Sequence, residues 1–169
     1  MESSIILAIQ KSLSSSTGRA LIGFCARWVI YLFVPFILVA RISKAMQHAV
    51  IEAAWTAGLA FAASTVLATL IGRVRPYLAV AGVQAIVPPN IQAGSFPSSH
   101  TAVAIGIATA LSFYNVPLGV AAFLMAILVA FGRVAAGMHY PTDVLGGAVV
   151  GVVAFMVVRL GHNAIAHLR

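Results

Sequence analysis

Long apolar blocks, broken by only a handful of charged residues, constrain this chain more than any other feature. A helix needs roughly 20 apolar residues to cross a bilayer. Stretches at about 20–40, 49–72, 98–114, 118–133 and 142–160 approach that length. Only 8% of the 169 residues are charged, against about a quarter in a soluble domain. The expected fold class is all-α: one polytopic membrane helical bundle, spanning 1–169, with about five transmembrane helices. Ahead of them, residues 3–16 mix Ile5, Ile6, Leu7, Ile9 and Leu13 with Gln10, Lys11 and serines. That mixture predicts an N-terminal amphipathic helix lying in the interface. The first apolar run, Ile5 to Ile9, is too short for a cleaved signal and lacks a basic region before it. Small residues at i, i+4 (Ala102, Gly106, Ala110; Gly147, Gly151) suit close helix contacts. The 25 residues from Arg73 to Pro97 hold four prolines and two glycines, which rules out a continuous helix there.

Ten Lys and Arg against three acids give a net charge of +7. The cations are scattered at block ends, as expected for bilayer flanks and anionic headgroups. No basic cluster with interleaved aromatics supports nucleic-acid binding. The acids, Glu2, Glu52 and Asp143, are too few and too dispersed to supply the carboxylates that hard-cation sites use. Cys25 stands alone in an apolar block, which excludes an intramolecular disulfide and a Cys-based zinc site. Neither a metal nor a cofactor is expected, and no obligate protein partner is evident.

Alternating the spans across the membrane brings distant polar residues to one face. Arg75 follows the second span, Ser98-Ser99-His100 opens the third, Arg133 closes the fourth, and His139 with Asp143 opens the fifth. Two helices start on that face, each with a proline near its first turn (Pro97, Pro141). Free N–H groups and the dipole at such helix starts favour an anion. Two arginines add donors matched to phosphate oxygens. Two histidines supply a nucleophile and a proton donor near neutral pH. Asp143, four residues after His139, is placed to hold one ring nitrogen and leave the other to attack.

These residues resemble the type 2 phosphatidic acid phosphatase family, which shares its site with bacterial acid phosphatases and vanadium haloperoxidases. Its motifs are Lys-x6-Arg-Pro, Pro-Ser-Gly-His and Ser-Arg-x5-His-x3-Asp. Here they read Arg75-Pro76, Pro97-Ser98-Ser99-His100, and Gly132-Arg133 followed by His139 and Asp143, across a motif region of about 68–143. The resemblance implies a metal-independent lipid phosphatase. In it His139 attacks phosphorus to form a phosphohistidine, and Asp143 orients the imidazole. His100 protonates the leaving oxygen and then activates water. Arg75, Arg133, Ser98 and the backbone near Ser99 hold the phosphoryl oxygens as charge builds.

Three positions depart from the motifs: Ser99 for glycine, Gly132 for serine and Ala68 for lysine. Arg27, about two turns into the first span, is a candidate to supply the missing phosphate-binding charge; its plainer role is snorkelling to headgroups. Arg73, two residues from Arg75, is expected to point elsewhere on a helix. His48, His162 and His167 read as interfacial, His48 and Glu52 as a polar contact at i, i+4, and Trp28, Tyr31 and Trp55 as interface or packing aromatics. Tyr140 either lines the site or faces lipid. The segment from Tyr77 to Phe96 is either a lid over the site or a passive connector.

The substrates implied are a polyprenyl (undecaprenyl) diphosphate or a glycerolipid phosphate, with lipid A phosphates also in the family's range. Two alternatives stand beside hydrolysis: phosphoryl transfer to another lipid at the same site, and a non-catalytic protein with a decayed site, suggested by Ala68. Leaving out the motif arginines, the face opposite the site carries Arg41, Lys44, Arg159 and Arg169, and the active face Lys11, Arg19 and Arg73. By the positive-inside rule the expected orientation has the site facing outward, periplasmic or extracellular; the expected location is a bacterial inner (plasma) membrane.

Overall fold

A computed structural model of the chain describes residues 1–88 and 94–166. Pro89, His167 and Arg169 lie outside the described residues. Within them the chain is helical: α1 (Glu2–Ser12), α2 (Ser16–Arg27), α3 (Val29–Ala40), α4 (Gln47–Ile71), the single turn α5 (Pro76–Ala79), α6 (Ser99–Tyr114), α7 (Val116–Ala135) and α8 (Pro141–Ala166). Helices α4, α7 and α8 are long and apolar enough to cross a membrane. Together α2 and α3 pass the same test as a bent pair. With sixteen residues α6 is shorter, about 24 Å at 1.5 Å per residue. It sits in the middle of the bundle, packed against α4, α7 and α8. The protein is an integral membrane helical bundle.

The first apolar block is not one straight helix. It breaks at Trp28, where α3 turns by 52° from α2. Neither proline nor glycine stands at the break, so no local residue type signals it. The cause lies across the bundle: Nη1 of the buried Arg133 donates to the carbonyl of Ala26 at 3.4 Å. A side chain reaching into the i→i−4 ladder is one of the known causes of a sharp bend.

Glycine lets α6 meet its neighbours at backbone distance. A Cβ at Gly147 would stand 2.5 Å from the Ser98 carbonyl oxygen, and one at Gly151 would overlap the Ala102 carbonyl. A Cβ at Gly106 would meet the Thr56 methyl at 2.9 Å. Close approach maximises the dispersion contacts that hold helices together in lipid. Helix α4 ends at Gly72, whose φ of 62° is left-handed and whose N–H donates back to Ala68 at 3.1 Å.

The end of the bundle remote from α6's first turn has its own polar tie. The buried Glu52 accepts from Arg159 at 2.9 Å and lies 2.7 Å from Nδ1 of His162. Arg159 also donates to the Tyr114 hydroxyl. Glu52 therefore joins α4 to α8, rather than contacting His48 on its own helix as the i, i+4 spacing suggests. The His48 ring lies beside His162 instead, 6.2 Å between centroids. Trp28, Tyr31 and Trp55 are exposed, as lipid-facing aromatics would be.

Candidate active site

At the opposite end, three chain segments are knitted together by backbone bonds. The Ser98 N–H donates to the Asp143 carbonyl at 2.9 Å, joining the starts of α6 and α8. The Gly94 N–H donates to Ala68 at 3.2 Å and the Ser95 N–H to Arg73 at 2.8 Å, joining the end of α4 to the same cluster. Gly137, left-handed at φ 72°, turns the chain out of α7 so that His139 and Tyr140 precede α8.

His139 is 3% exposed. Its Nδ1 lies 2.7 Å from the carbonyl oxygen of Ser95. A carbonyl only accepts, so Nδ1 carries the proton and Nε2 has the lone pair. Facing that lone pair are Arg75 Nη1 at 3.4 Å and Arg133 Nη2 at 3.3 Å. Burial first, then the charges of Arg133 and Arg75, push the His139 pKa well below its ordinary value. The imidazole is therefore neutral at physiological pH, with an available nitrogen aimed where two guanidinium groups would hold an anion. Arg75 is steadied by the carbonyls of Met138 (3.2 Å) and Gly94 (3.4 Å), Arg133 by that of Ala26. Arg133 Nε has no hydrogen-bond partner among the described residues, although it is buried.

Asp143 does not hold the imidazole as its i+4 spacing suggests. Its Oδ2 stands 3.8 Å from Nδ1, beyond hydrogen-bond range, and accepts from the Tyr140 N–H at 2.8 Å. Its Oδ1 is taken by Arg73 at 2.6 Å. Asp143 thus caps α8 from its third position, in the manner of a capping box, and acts on His139 as a nearby charge. Ser95, which the sequence does not single out, supplies the hydrogen bond. A backbone carbonyl leaves no mark on side-chain identity, so no motif signals it.

Arg73 is also better placed than the sequence implies. An i, i+2 pair diverges on a helix, but α4 has ended at Gly72 and Arg75 is extended (φ −72°, ψ 149°). Both arginines accordingly reach the 138–143 segment.

One cavity of about 690 Å³ is lined by His100, His139, Arg75, Arg133, Arg27 and Ser99. Deeper on the same helices it is lined by Ile30, Tyr31, Phe61 and Val103. Arg27 closes α2 beside the break, its guanidinium 5.5 Å from the Trp28 ring centroid. Ser98 is buried and caps α6 without a side-chain bond to that helix's backbone N–H groups; its hydroxyl accepts from Thr101. Pro97 lies just outside α6, whereas Pro141 is the first residue of α8. Ala68, at the motif-lysine position, puts a methyl group on the cavity wall. Tyr140 is buried and does not line the cavity. From the 77–96 segment, Val87, Pro88 and Gly94 contribute to the lining. Among the described residues, no three His, Cys, Asp or Glu side chains are grouped to hold a metal ion.

The two helix starts differ in what occupies them. At α8 the Tyr140 N–H is taken by Asp143 and the Thr142 N–H by Glu2 at 2.9 Å. The anion site expected at both helices is thus already filled at α8. It is the start of α6, with Ser99 and His100, that faces the cavity.

Comparison with known proteins gives a consistent picture. Residues 49–165 match the model of the PAP2 superfamily. Undecaprenyl-diphosphatase BcrC of Bacillus subtilis (strain 168) is 39% identical over 79 residues, which cover 47% of this chain and 40% of that protein. The chain thus aligns with less than half of that relative's length. Among solved structures, LpxE of Aquifex aeolicus superposes with a TM-score of 0.74 at 23% identity, covering 92% of each chain. The first transmembrane PAP2 type phosphatidylglycerolphosphate phosphatase from Bacillus subtilis superposes with a TM-score of 0.52 at 23% identity, covering 98% of this chain and 96% of that one. At that identity the two structures speak for the fold.

Proposed function

The chain belongs to the PAP2 superfamily, and from that premise we propose that it is a metal-independent lipid phosphatase acting through a phosphohistidine on His139. The observation that carries this reading is the polarity gradient of the cavity. Helix directions set the depth. Val103 follows His100 along α6, Phe61 precedes Ala68 on α4, and Ile30 and Tyr31 follow Arg27 past the break. On α6 and across α2–α3 the apolar residue lies further into the bundle than its polar companion at the site end, and α4 adds a wholly apolar wall from Ala68 to Phe61. Such a cavity receives a phosphate at the bilayer surface while its hydrocarbon chain stays in the apolar depth.

In the proposed reaction Nε2 of His139 attacks phosphorus, forming an N–P bond as the bond to the leaving oxygen breaks. The new positive charge on the imidazole is shared with the Ser95 carbonyl and the nearby Asp143 carboxylate. Arg75 and Arg133 hold the equatorial oxygens, where donors aimed at developing charge contribute most to rate. Once the bound phosphate offsets the charges of Arg133 and Arg75, His100 takes up a proton and gives it to the leaving oxygen. It then takes one from the water that splits the N–P bond, releasing inorganic phosphate and restoring both histidines.

The substrate we propose is a polyprenyl diphosphate of the undecaprenyl type, supported by the sequence similarity to undecaprenyl-diphosphatase BcrC. A diphosphate carries a second charged group, and Arg27 lies on the cavity wall to meet it. The excess of basic residues on the far face supports an outward-facing site, and the bacterial relative supports a bacterial inner membrane; cysteine labelling from either side checks that orientation.

The test is phosphate release from undecaprenyl diphosphate, phosphatidylglycerol phosphate and phosphatidic acid, in EDTA, for the parent protein and His139→Ala. Undecaprenyl diphosphate should give the highest kcat/KM, with activity that survives chelation and disappears in the variant. Activity abolished by EDTA, or retained in His139→Ala, would overturn the mechanism. Faster release from a glycerolipid phosphate would overturn the substrate.

A further inference from the structure

Glu2 and Arg73 lie outside the cavity, yet both are bound to the segment that carries the nucleophile. Glu2 Oε1 accepts from the Thr142 N–H at 2.9 Å and from the Thr142 hydroxyl at 2.7 Å. Its Oε2 accepts from Arg73 Nη2 at 3.0 Å. The other arm of Arg73 donates to Asp143 Oδ1 at 2.6 Å and to the Thr142 hydroxyl at 2.7 Å. The Arg73 guanidinium also lies 4.1 Å over the Tyr140 ring, within cation–π range. Arg73 is therefore held on three sides by residues 140, 142 and 143, and on the fourth by α1.

Helix α1 is itself firmly placed. Ile6 is fully buried against Val83, Val134 and Tyr140. Gln10 donates to the carbonyls of Gln84 and Ala135 and accepts from the Gln84 N–H. Burial pushes the Glu2 pKa up, but its bonds to Thr142 and Arg73 outweigh that and hold it below the ordinary value, so the carboxylate stays ionised at neutral pH. Asp143 is fully buried, while Glu2 and Arg73 are each about one-third exposed.

We propose that Glu2 and Arg73 are positioning residues for the reaction, through which docking of the interfacial helix α1 sets the geometry of the 139–143 segment. They act through Asp143 and the first turn of α8, and touch no substrate. A fully buried carboxylate without its guanidinium would turn toward another donor. Two donors stand within its reach, the Ser95 hydroxyl and Nδ1 of His139, 3.8 Å from Oδ2, so Arg73 keeps Asp143 on Tyr140 and leaves the imidazole to the Ser95 carbonyl. The idea rests on the phosphatase reading above and adds two residues that the family motifs do not contain.

The test compares Glu2→Gln, Arg73→Gln, Arg73→Lys and the Glu2→Gln/Arg73→Gln double variant with the parent in phospholipid nanodiscs. Misplacement of a reacting group by about 1 Å can cost about 100-fold in rate. Arg73→Gln should therefore lower kcat by about 10- to 100-fold with KM within about twofold. Arg73→Lys should recover part of that loss, since lysine restores the charge but not the two-armed bridge. The double variant should be no worse than Arg73→Gln, because the two residues act as one unit. Unchanged kcat, a change confined to KM, or losses that multiply would each overturn the proposal. Hydrogen exchange of residues 139–143 tests it independently of turnover. Exchange should rise in Glu2→Gln while that of α4 stays constant; unchanged exchange in 139–143 also overturns it. A parent protein that releases no phosphate refutes the assigned activity instead, and the exchange result still decides the positioning claim.

Discussion

Ser98 and Asp143 are joined through their main chains, N–H to carbonyl at 2.9 Å, 45 residues apart in sequence. That bond fixes the start of α6 against the start of α8 and so sets His100 and His139 on the wall of one cavity. Neither side chain is needed for it. The arrangement of the two histidines is thus a property of the backbone, with the glycine contacts between α6 and α8 holding the helices close behind it.

The tautomer of His139 is open to direct observation. With Nδ1 bonded to the Ser95 carbonyl, 15N spectra of the labelled protein should show a protonated Nδ1 and a bare Nε2 at pH 7. The opposite tautomer would be incompatible with attack by Nε2.

Acid should destabilise the fold through the same residue. The folded pKa of His139 lies well below the 6.5 of the free side chain. The unfolded chain therefore binds a proton more readily, and stability is lost as pH falls below about 6.5. Replacing His139 by Gln, which cannot charge, should flatten the dependence of Tm on pH in that range. An unchanged slope would show that other groups set it.

Arg133 supplies geometry as well as charge, since it reaches both Ala26 and His139. Arg133→Lys keeps the charge but cannot span both, so kcat should fall by about 100- to 1,000-fold, the range seen when one transition-state donor is lost. The α2–α3 bend should relax in the same variant, measurable as a changed distance between spin labels at positions 21 and 38.

Arg27→Ala distinguishes substrates. Turnover of undecaprenyl diphosphate should show a raised KM, while phosphatidic acid, with one phosphate, should be hydrolysed with KM unchanged. Equal effects on both would place Arg27 at the scissile phosphate instead.

Gly151→Leu should lower the thermal stability by about 1–3 kcal/mol, the usual cost of overpacking, because any side chain there meets the Ala102 backbone. Gly161, inside α8 where an added Cβ would meet nothing within 4 Å, serves as the control: Gly161→Ala should keep Tm or raise it slightly, since alanine favours the helix.

The bundle and its convergent polar face were legible because both follow from side-chain identity: apolar length for the spans, and His, Arg and Asp at the block ends for the site. What escaped was set by the main chain. The break at Trp28 depends on a carbonyl bonded by Arg133, 107 residues away. The placement of Arg73 depends on α4 ending at Gly72, after which helix-based reasoning about i, i+2 neighbours no longer holds. The partner of His139 is the peptide oxygen of Ser95, and the spacing to Asp143 pointed to a carboxylate that is engaged elsewhere.

That peptide oxygen has a genetic consequence. Every amino acid carries one, so no replacement at position 95 can delete the acceptor; a small residue such as Ala keeps it in place, whereas a large one at this fully buried position must displace it. Lesions that disable it act by moving the main chain, from position 95 itself or from neighbours such as Gly94 or Pro97. A map of loss-of-function changes should therefore spare Ser95→Ala while marking bulky residues at 95 and changes at its neighbours.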